Sequence, residues 1–95
     1  MQVAVSPEAA EDLRGIWRYT RNRWDRRQAD RYLRMLNRGF RFVANDPRRA
    51  GACDGIKSGY RRYTIGSHVA FFMAAEKSLV VVRVLHMSMD FGEHL

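Results

Sequence analysis

The sequence is short of cysteine, of acidic residues and of long apolar runs, and each shortage excludes something. The lone Cys53 has no partner for an internal disulfide, which suits a reducing compartment and sets the expectation of a cytoplasmic protein. No apolar run approaches the length of a membrane span, and Gln2-Val3-Ala4-Val5 follows the first residue without a signal-peptide pattern, so no membrane partner is expected. Ten Asp and Glu against seventeen Lys and Arg leave a net charge of +7, with arginine far outnumbering lysine. Arginine grips carboxylate and phosphate in a planar fork, so an acidic partner is called for, either nucleic acid or an acidic protein. A G-x-x-x-x-G-K-[ST] phosphate loop is missing, and so are internal repeats and linkers. His68, His86, His94 and Cys53 show none of the close pair spacings of zinc sites, so neither metal nor cofactor is expected. No Ser/His/Asp or Cys/His arrangement stands out either.

The chain is long enough for one modest core, a single domain spanning 1–95. Three consecutive runs rich in β-branched and aromatic residues predict strands at Tyr60–Ile65, His68–Ala74 and Leu79–His86. Gly66-Ser67 suits a tight hairpin between the first two, and Glu76-Lys77 turns between the second pair. With those turns Ile65 faces His68, Phe71 faces Val82 and Ala70 faces Arg83. Strand alternation then puts Val69, Phe71, Met73, Val80, Val82 and Val84 on a core face. Arg61, Tyr63, His68, Ala70, Phe72, Val81, Arg83 and Leu85 fall on the other. That face is too apolar to be simply solvated and too charged to be simply buried, which makes it the expected working surface. The alternative is that a loop or the C-terminal tail covers it.

Before the strands come two helices. Gln2–Val5 reads as a short strand, and Ser6-Pro7-Glu8 as a helix start with Ser6 as cap. Ala9, Leu13, Ile16, Trp17, Thr20 and Trp24 make one stripe, expected to be core. A second helix, from about Arg26 to Ala44, carries the seam Ala29, Leu33, Leu36, Phe40 and Val43. Arg27, Arg31, Arg34, Arg38 and Arg41 repeat with the same rhythm two residues earlier, about 200° around the helix. They form either a phosphate-tracking stripe or, more simply, a solvated outer face. Met35, Gly39 and Phe42 add an apolar flank wider than one neighbour needs. Asp46-Pro47 ends the helix, and a loop runs to Gly59. The expected fold is therefore α+β, in the order β-α-α-β-β-β, a helical hairpin on one face of a small antiparallel sheet. The first strand pairs beside Tyr60–Ile65 or beside Leu79–His86, and either placement is expected to be antiparallel.

Catalysis has one candidate constellation. Arg61 and Arg83 on one sheet face could stabilise a pentacoordinate phosphate, with His86 as acid or base. Alternation from Arg83 puts His86 on the opposite face, so the set looks incomplete.

Three segments resemble the ParE branch of the ParE/RelE toxin superfamily. They are Ala9-Ala10-Glu11-Asp12-Leu13-Arg14-Gly15-Ile16-Trp17, Gly59-Tyr60-Arg61-Arg62-Tyr63 with Ser67-His68-Val69-Ala70-Phe71-Phe72, and Arg83-Val84-Leu85-His86-Met87-Ser88-Met89-Asp90 ending in His94-Leu95. The resemblance implies the same β-α-α-β-β-β fold. It also implies the toxin of a type II toxin–antitoxin pair, acting on DNA gyrase and neutralised in a hetero-oligomer by a ParD-like antitoxin. Antitoxin binding is expected at Met35, Phe42, Arg61, Tyr63, Phe72, Arg83 and Leu85. The gyrase or toxicity element is expected at His86, Met87, Met89, Asp90, Phe91, His94 and Leu95, in an extended tail. RelE-like relatives are ribosome-dependent mRNA endonucleases, and for them Arg61, Arg83 and His86 would be the site. Two departures from that branch favour gyrase: no lysine cluster or glutamate before Tyr60, and Met87, Met89 and Phe91 where a tyrosine would follow the last strand.

Overall fold

Ser6 does two jobs at the first element boundary. Its hydroxyl accepts from the Ala9 amide at 3.0 Å, capping the helix that Pro7 begins, and donates to the Val82 carbonyl at 2.8 Å. In the computed structural model, which describes residues 1–95, this cap joins β1 (Gln2–Val5) to α1 (Pro7–Arg23). Asp25 caps the next helix by accepting from the Gln28 amide at 2.8 Å, so α2 (Arg26–Asn45) folds back on α1 after a two-residue break. Asp46 leaves helical geometry ahead of Pro47, and a 3-10 turn (Pro47–Arg49) comes next. The sheet is completed by β2 (Gly51–Ala52), β3 (Arg61–Ile65), β4 (His68–Ala74) and β5 (Ser78–His86), and a short α3 (Phe91–His94) ends the chain. The architecture is α+β. No helix is long and apolar enough to cross a membrane.

Strand order is β1-β5-β4-β3-β2, and β1 runs parallel to β5 with Val3 opposite Leu79. This corrects the expectation of an antiparallel first strand. The cause is β2: its two residues pair antiparallel with Arg61 and Arg62, an extra reversal between α2 and β3. β3 therefore points the same way as β1.

A second correction comes from β5. Its register is the expected one from Ala74↔Leu79 to Phe72↔Val81, but the next pair is Phe71↔Arg83. Val82 is thus an extra residue, a bulge whose carbonyl Ser6 holds. The helices also take the other side of the sheet from the one expected. Ile65, Ala70, Phe72, Leu79, Val81 and Val84 form the main core with Ala9, Ile16, Leu36, Phe40 and Val43. Phe40 meets Phe72 edge-on at 6.1 Å between ring centres. Gly39 lets α2 approach β3, since a Cβ there would collide with the Ile65 side chain. On the far side Val69, Phe71, Leu85 and Cys53 make a second, smaller cluster, covered by Tyr60, Phe91 and Leu95. Both sheet faces carry a phenylalanine and branched residues, so alternation identifies two faces without saying which one a helix will take.

The α1 stripe is core only in part. Ala9 and Ile16 are buried, Trp17 is half-buried with its indole N–H donating to Asp30 at 2.8 Å, and Trp24 lies past the helix end, 65% exposed. On α2 the seam residues are buried or, for Leu33, half-buried, while Arg27, Arg31, Arg34, Arg38 and Arg41 are all exposed.

Candidate functional site

Beyond Val5 the edge of β5 has no strand beside it, and α1 seals it with a carboxylate. Asp12 accepts from the Val84 amide at 3.0 Å and from Arg83 in a two-pronged pair, Nε at 2.7 Å and Nη2 at 2.9 Å. The two side chains are 15% and 22% exposed. The third guanidinium nitrogen, Nη1, donates to the His94 carbonyl at 2.8 Å, tying β5 to the tail. The Arg83 pKa is raised, chiefly by the hydrogen bonds to Asp12. Arg83 is therefore committed inside the protein. Sequence reasoning does not single out Asp12, yet a signal is there: it falls three residues after Ala9 and four before Ile16, an acidic group on the buried stripe.

The bulge separates the two arginines. Arg61 pairs with Phe72 on the helix side, and Arg83 pairs with Phe71 on the other. Arg61 donates Nη1 to the Ala50 carbonyl at 2.8 Å. His86 lies opposite His68, on the helix side. The three residues of the endonuclease constellation are not brought together.

What the fold does assemble is a groove of about 860 Å³ between α1, α2 and the β3–β4 turn. Tyr19, Trp24, Tyr32, His68, His86 and Met89 line it, with Arg18, Arg23 and Glu11 at its rim. Gly66, at φ +60, makes the tight turn beneath Tyr32. The Ser67 amide donates to the Tyr32 oxygen at 3.1 Å, so the phenolic proton goes to His68 Nδ1, 2.6 Å away. The His68 ring meets His86 edge-on at 5.3 Å. Burial first, and the neighbouring His86 second, push the His68 pKa down to about 4. At His86 the Ser88 amide donates to Nδ1 at 3.1 Å, with the Ser88 hydroxyl at 2.8 Å. Tyr32, like Asp12, escapes sequence reasoning, although it too falls on a buried seam, three residues after Ala29 and four before Leu36.

Of the expected toxicity residues, His86, Met87, Met89, Asp90 and His94 are exposed, with Met87 at 54% and Met89 at 44%. Phe91 and Leu95 are half-buried on the second cluster, Phe91 edge-on to Phe71 at 5.1 Å. The tail is not extended as expected. Asp90 caps α3 by accepting from the Gly92 amide at 3.1 Å, so its carboxylate is used by its own backbone rather than by an arginine. Of the expected antitoxin residues, Phe72 and Leu85 are fully buried and cannot meet a partner directly. Met35 packs against the core. Phe42 is exposed and lies 5.8 Å from the half-buried Tyr63, which also packs against the core, with the Arg49 guanidinium 4.1 Å over the Phe42 ring.

Residues 3–91 match the family described as the ParE toxin of type II toxin–antitoxin system, parDE. The chain belongs to the ParE toxin family. Among ParE proteins, it is 42% identical over 92 residues to Toxin ParE1 of Mycobacterium tuberculosis (strain CDC 1551 / Oshkosh), covering 96% of this chain and 94% of that one. Toxin ParE1 of Caulobacter vibrioides is 36% identical over 91 residues, again 96% of this chain and 94% of the relative. In fold the chain resembles a solved structure titled "Chromosomal ParDE TA system from P. aeruginosa". The TM-score is 0.79 at 16% identity, over 90% of this chain and 95% of that one. The ParE-like helical hairpin on a mostly antiparallel sheet is thus matched at the level of sequence family and of fold.

Proposed function

We propose that this ParE-family toxin binds and stalls DNA gyrase without itself catalysing a reaction, and that a ParD-like antitoxin neutralises it in a hetero-oligomeric complex. The family match over residues 3–91 carries the reading. Met87 and Met89, exposed directly after β5, the latter lining the same groove as Trp24 and Tyr19, supply soft, adaptable side chains suited to contact with a large protein. A gyrase inhibitor works in the cytoplasm. The antitoxin meets the Phe42–Tyr63 edge, and its acidic residues answer the +7 charge. The endonuclease alternative gains no support from Arg61 and Arg83 on opposite faces, the latter neutralised by Asp12.

The test is plasmid supercoiling by purified gyrase. The toxin should inhibit it, added ParD-like antitoxin should relieve the inhibition, and the exposed double variant Met87→Ser/Met89→Ser should lose inhibition without losing thermal stability. Unchanged supercoiling together with cleavage of ribosome-bound mRNA would overturn the proposal.

A further inference from the structure

Arg27, Arg31, Arg34, Arg38 and Arg41 occupy a narrow strip of α2. At 100° per residue they lie within an arc of about 80°, and at 1.5 Å per residue they extend over about 21 Å. All five are exposed, and none makes an ion pair or a side-chain hydrogen bond. Four carboxylates are engaged elsewhere: Glu11 with Arg14 and Arg18, Asp46 with Arg48, Asp12 with Arg83, and Asp30, on the flank of the strip, with the Trp17 indole. The helix is anchored from behind by Ala29, Leu36, Phe40 and Val43, so the strip is held straight on a rigid support.

We propose that this outer face of α2 binds the phosphate backbone of double-stranded DNA, independently of sequence. Three features select this occupant. A protein partner is met by an apolar centre with charges at the rim, whereas here the charge is central and no apolar side chain lies within the strip. Single-stranded nucleic acid wants aromatic platforms for its bases, and the strip has none; the neighbouring Phe42 lies outside it, with Arg49 stacked on its ring. A straight row of guanidinium groups, each able to grip a phosphate with two N–H donors, matches a stiff rod carrying one charge per about 1.7 Å. Binding here is separate from the gyrase reading and uses none of its residues.

The experiment is fluorescence anisotropy of the purified full chain with two unrelated 20-base-pair duplexes across a salt series. Neutralising three to five phosphates gives a log–log salt slope of about −3 to −4.5, so affinity falls roughly 60- to 500-fold between 50 and 200 mM salt, equally for both duplexes. The variant Arg31→Gln/Arg34→Gln/Arg38→Gln should flatten the slope by about 2.7, and each single variant by about 0.9. A control with the same loss of charge on α1, Arg14→Gln/Arg18→Gln/Arg21→Gln, should keep the slope. Equal loss in the two triple variants would show a net-charge effect and overturn the proposal. So would a salt slope left unchanged by the α2 triple variant, since the strip would then hold no phosphates.

Discussion

Asp12→Ala is the most demanding test of how the fold presents its tail. The wild-type carboxylate takes three hydrogen bonds, two from Arg83 and one from the Val84 amide, with both side chains largely withdrawn from water. Removing one member of a buried pair costs about 3–5 kcal/mol because the surviving charge is left without compensation. Here the partial exposure of Arg83 lets water repay some of that, and about 2–3 kcal/mol is the expected loss. For a chain of this length such a loss lowers Tm by roughly 10–20 °C. Asp12→Asn keeps an oxygen for Val84 but not the charge, and should lose about half as much. The double variant Asp12→Leu/Arg83→Met, which removes both charges, should recover much of the stability. Urea and thermal unfolding measure all three, and hydrogen exchange adds a local readout. The Leu95 amide, bonded to the Phe91 carbonyl at 3.1 Å, should exchange faster once Arg83 no longer holds His94. A Tm shift under about 3 °C for Asp12→Ala, or a double variant as unstable as the sum of its parts, would refute the reasoning.

The same packing dictates other outcomes. His68 has a folded pKa of about 4 against an ordinary 6.5, so the unfolded chain binds the extra proton between those values. Stability should therefore fall as pH drops from about 7 to 4, by on the order of 2 kcal/mol after allowing for solvent screening, and His68→Gln should flatten that part of the unfolding profile. Gly39→Ala should destabilise by about 1–2 kcal/mol despite alanine's better helix propensity, because the new methyl meets Ile65, and Ile65→Val should partly rescue it. Gly15→Ala, with open space around it in the middle of α1, should instead stabilise by about 0.5–1 kcal/mol, as thermal unfolding would show.

The parts of the fold that repeat are legible in the amino-acid sequence. Ser6 and Pro7 mark the start of α1, the Ala29–Val43 seam marks α2, and Gly66-Ser67 and Glu76-Lys77 mark the turns, because each signal recurs or needs a special residue. The parts that hinge on a single residue are not. Val80-Val81-Val82 gives no hint of where a bulge falls, since all three side chains fit either side of the pleat. That one residue moves Arg83 to the face opposite Arg61 and dissolves the expected pair. A two-residue strand such as β2 and a four-residue helix such as α3 are too short to show a pattern of their own. Trp24 fits the α1 stripe by spacing, but Asp25 begins a new helix and leaves the indole in solvent.

The parallel pairing of β1 with β5 has a consequence in time. Val3 and Leu79 are partners across almost the whole chain, and the cap of α1 rests on carbonyls at Val81 and Val82. During synthesis the helical hairpin emerges long before β5 exists, so its apolar seam waits without a sheet to cover it. Pairing at such sequence separation is slow, because the closure entropy is spent before any contact rewards it. The groove, the Asp12 seal and the exposed methionines all depend on β5 and on the tail beyond it. A nascent chain interrupted before about residue 78 therefore has only one wall of the groove and neither exposed methionine, and the last strand completes both.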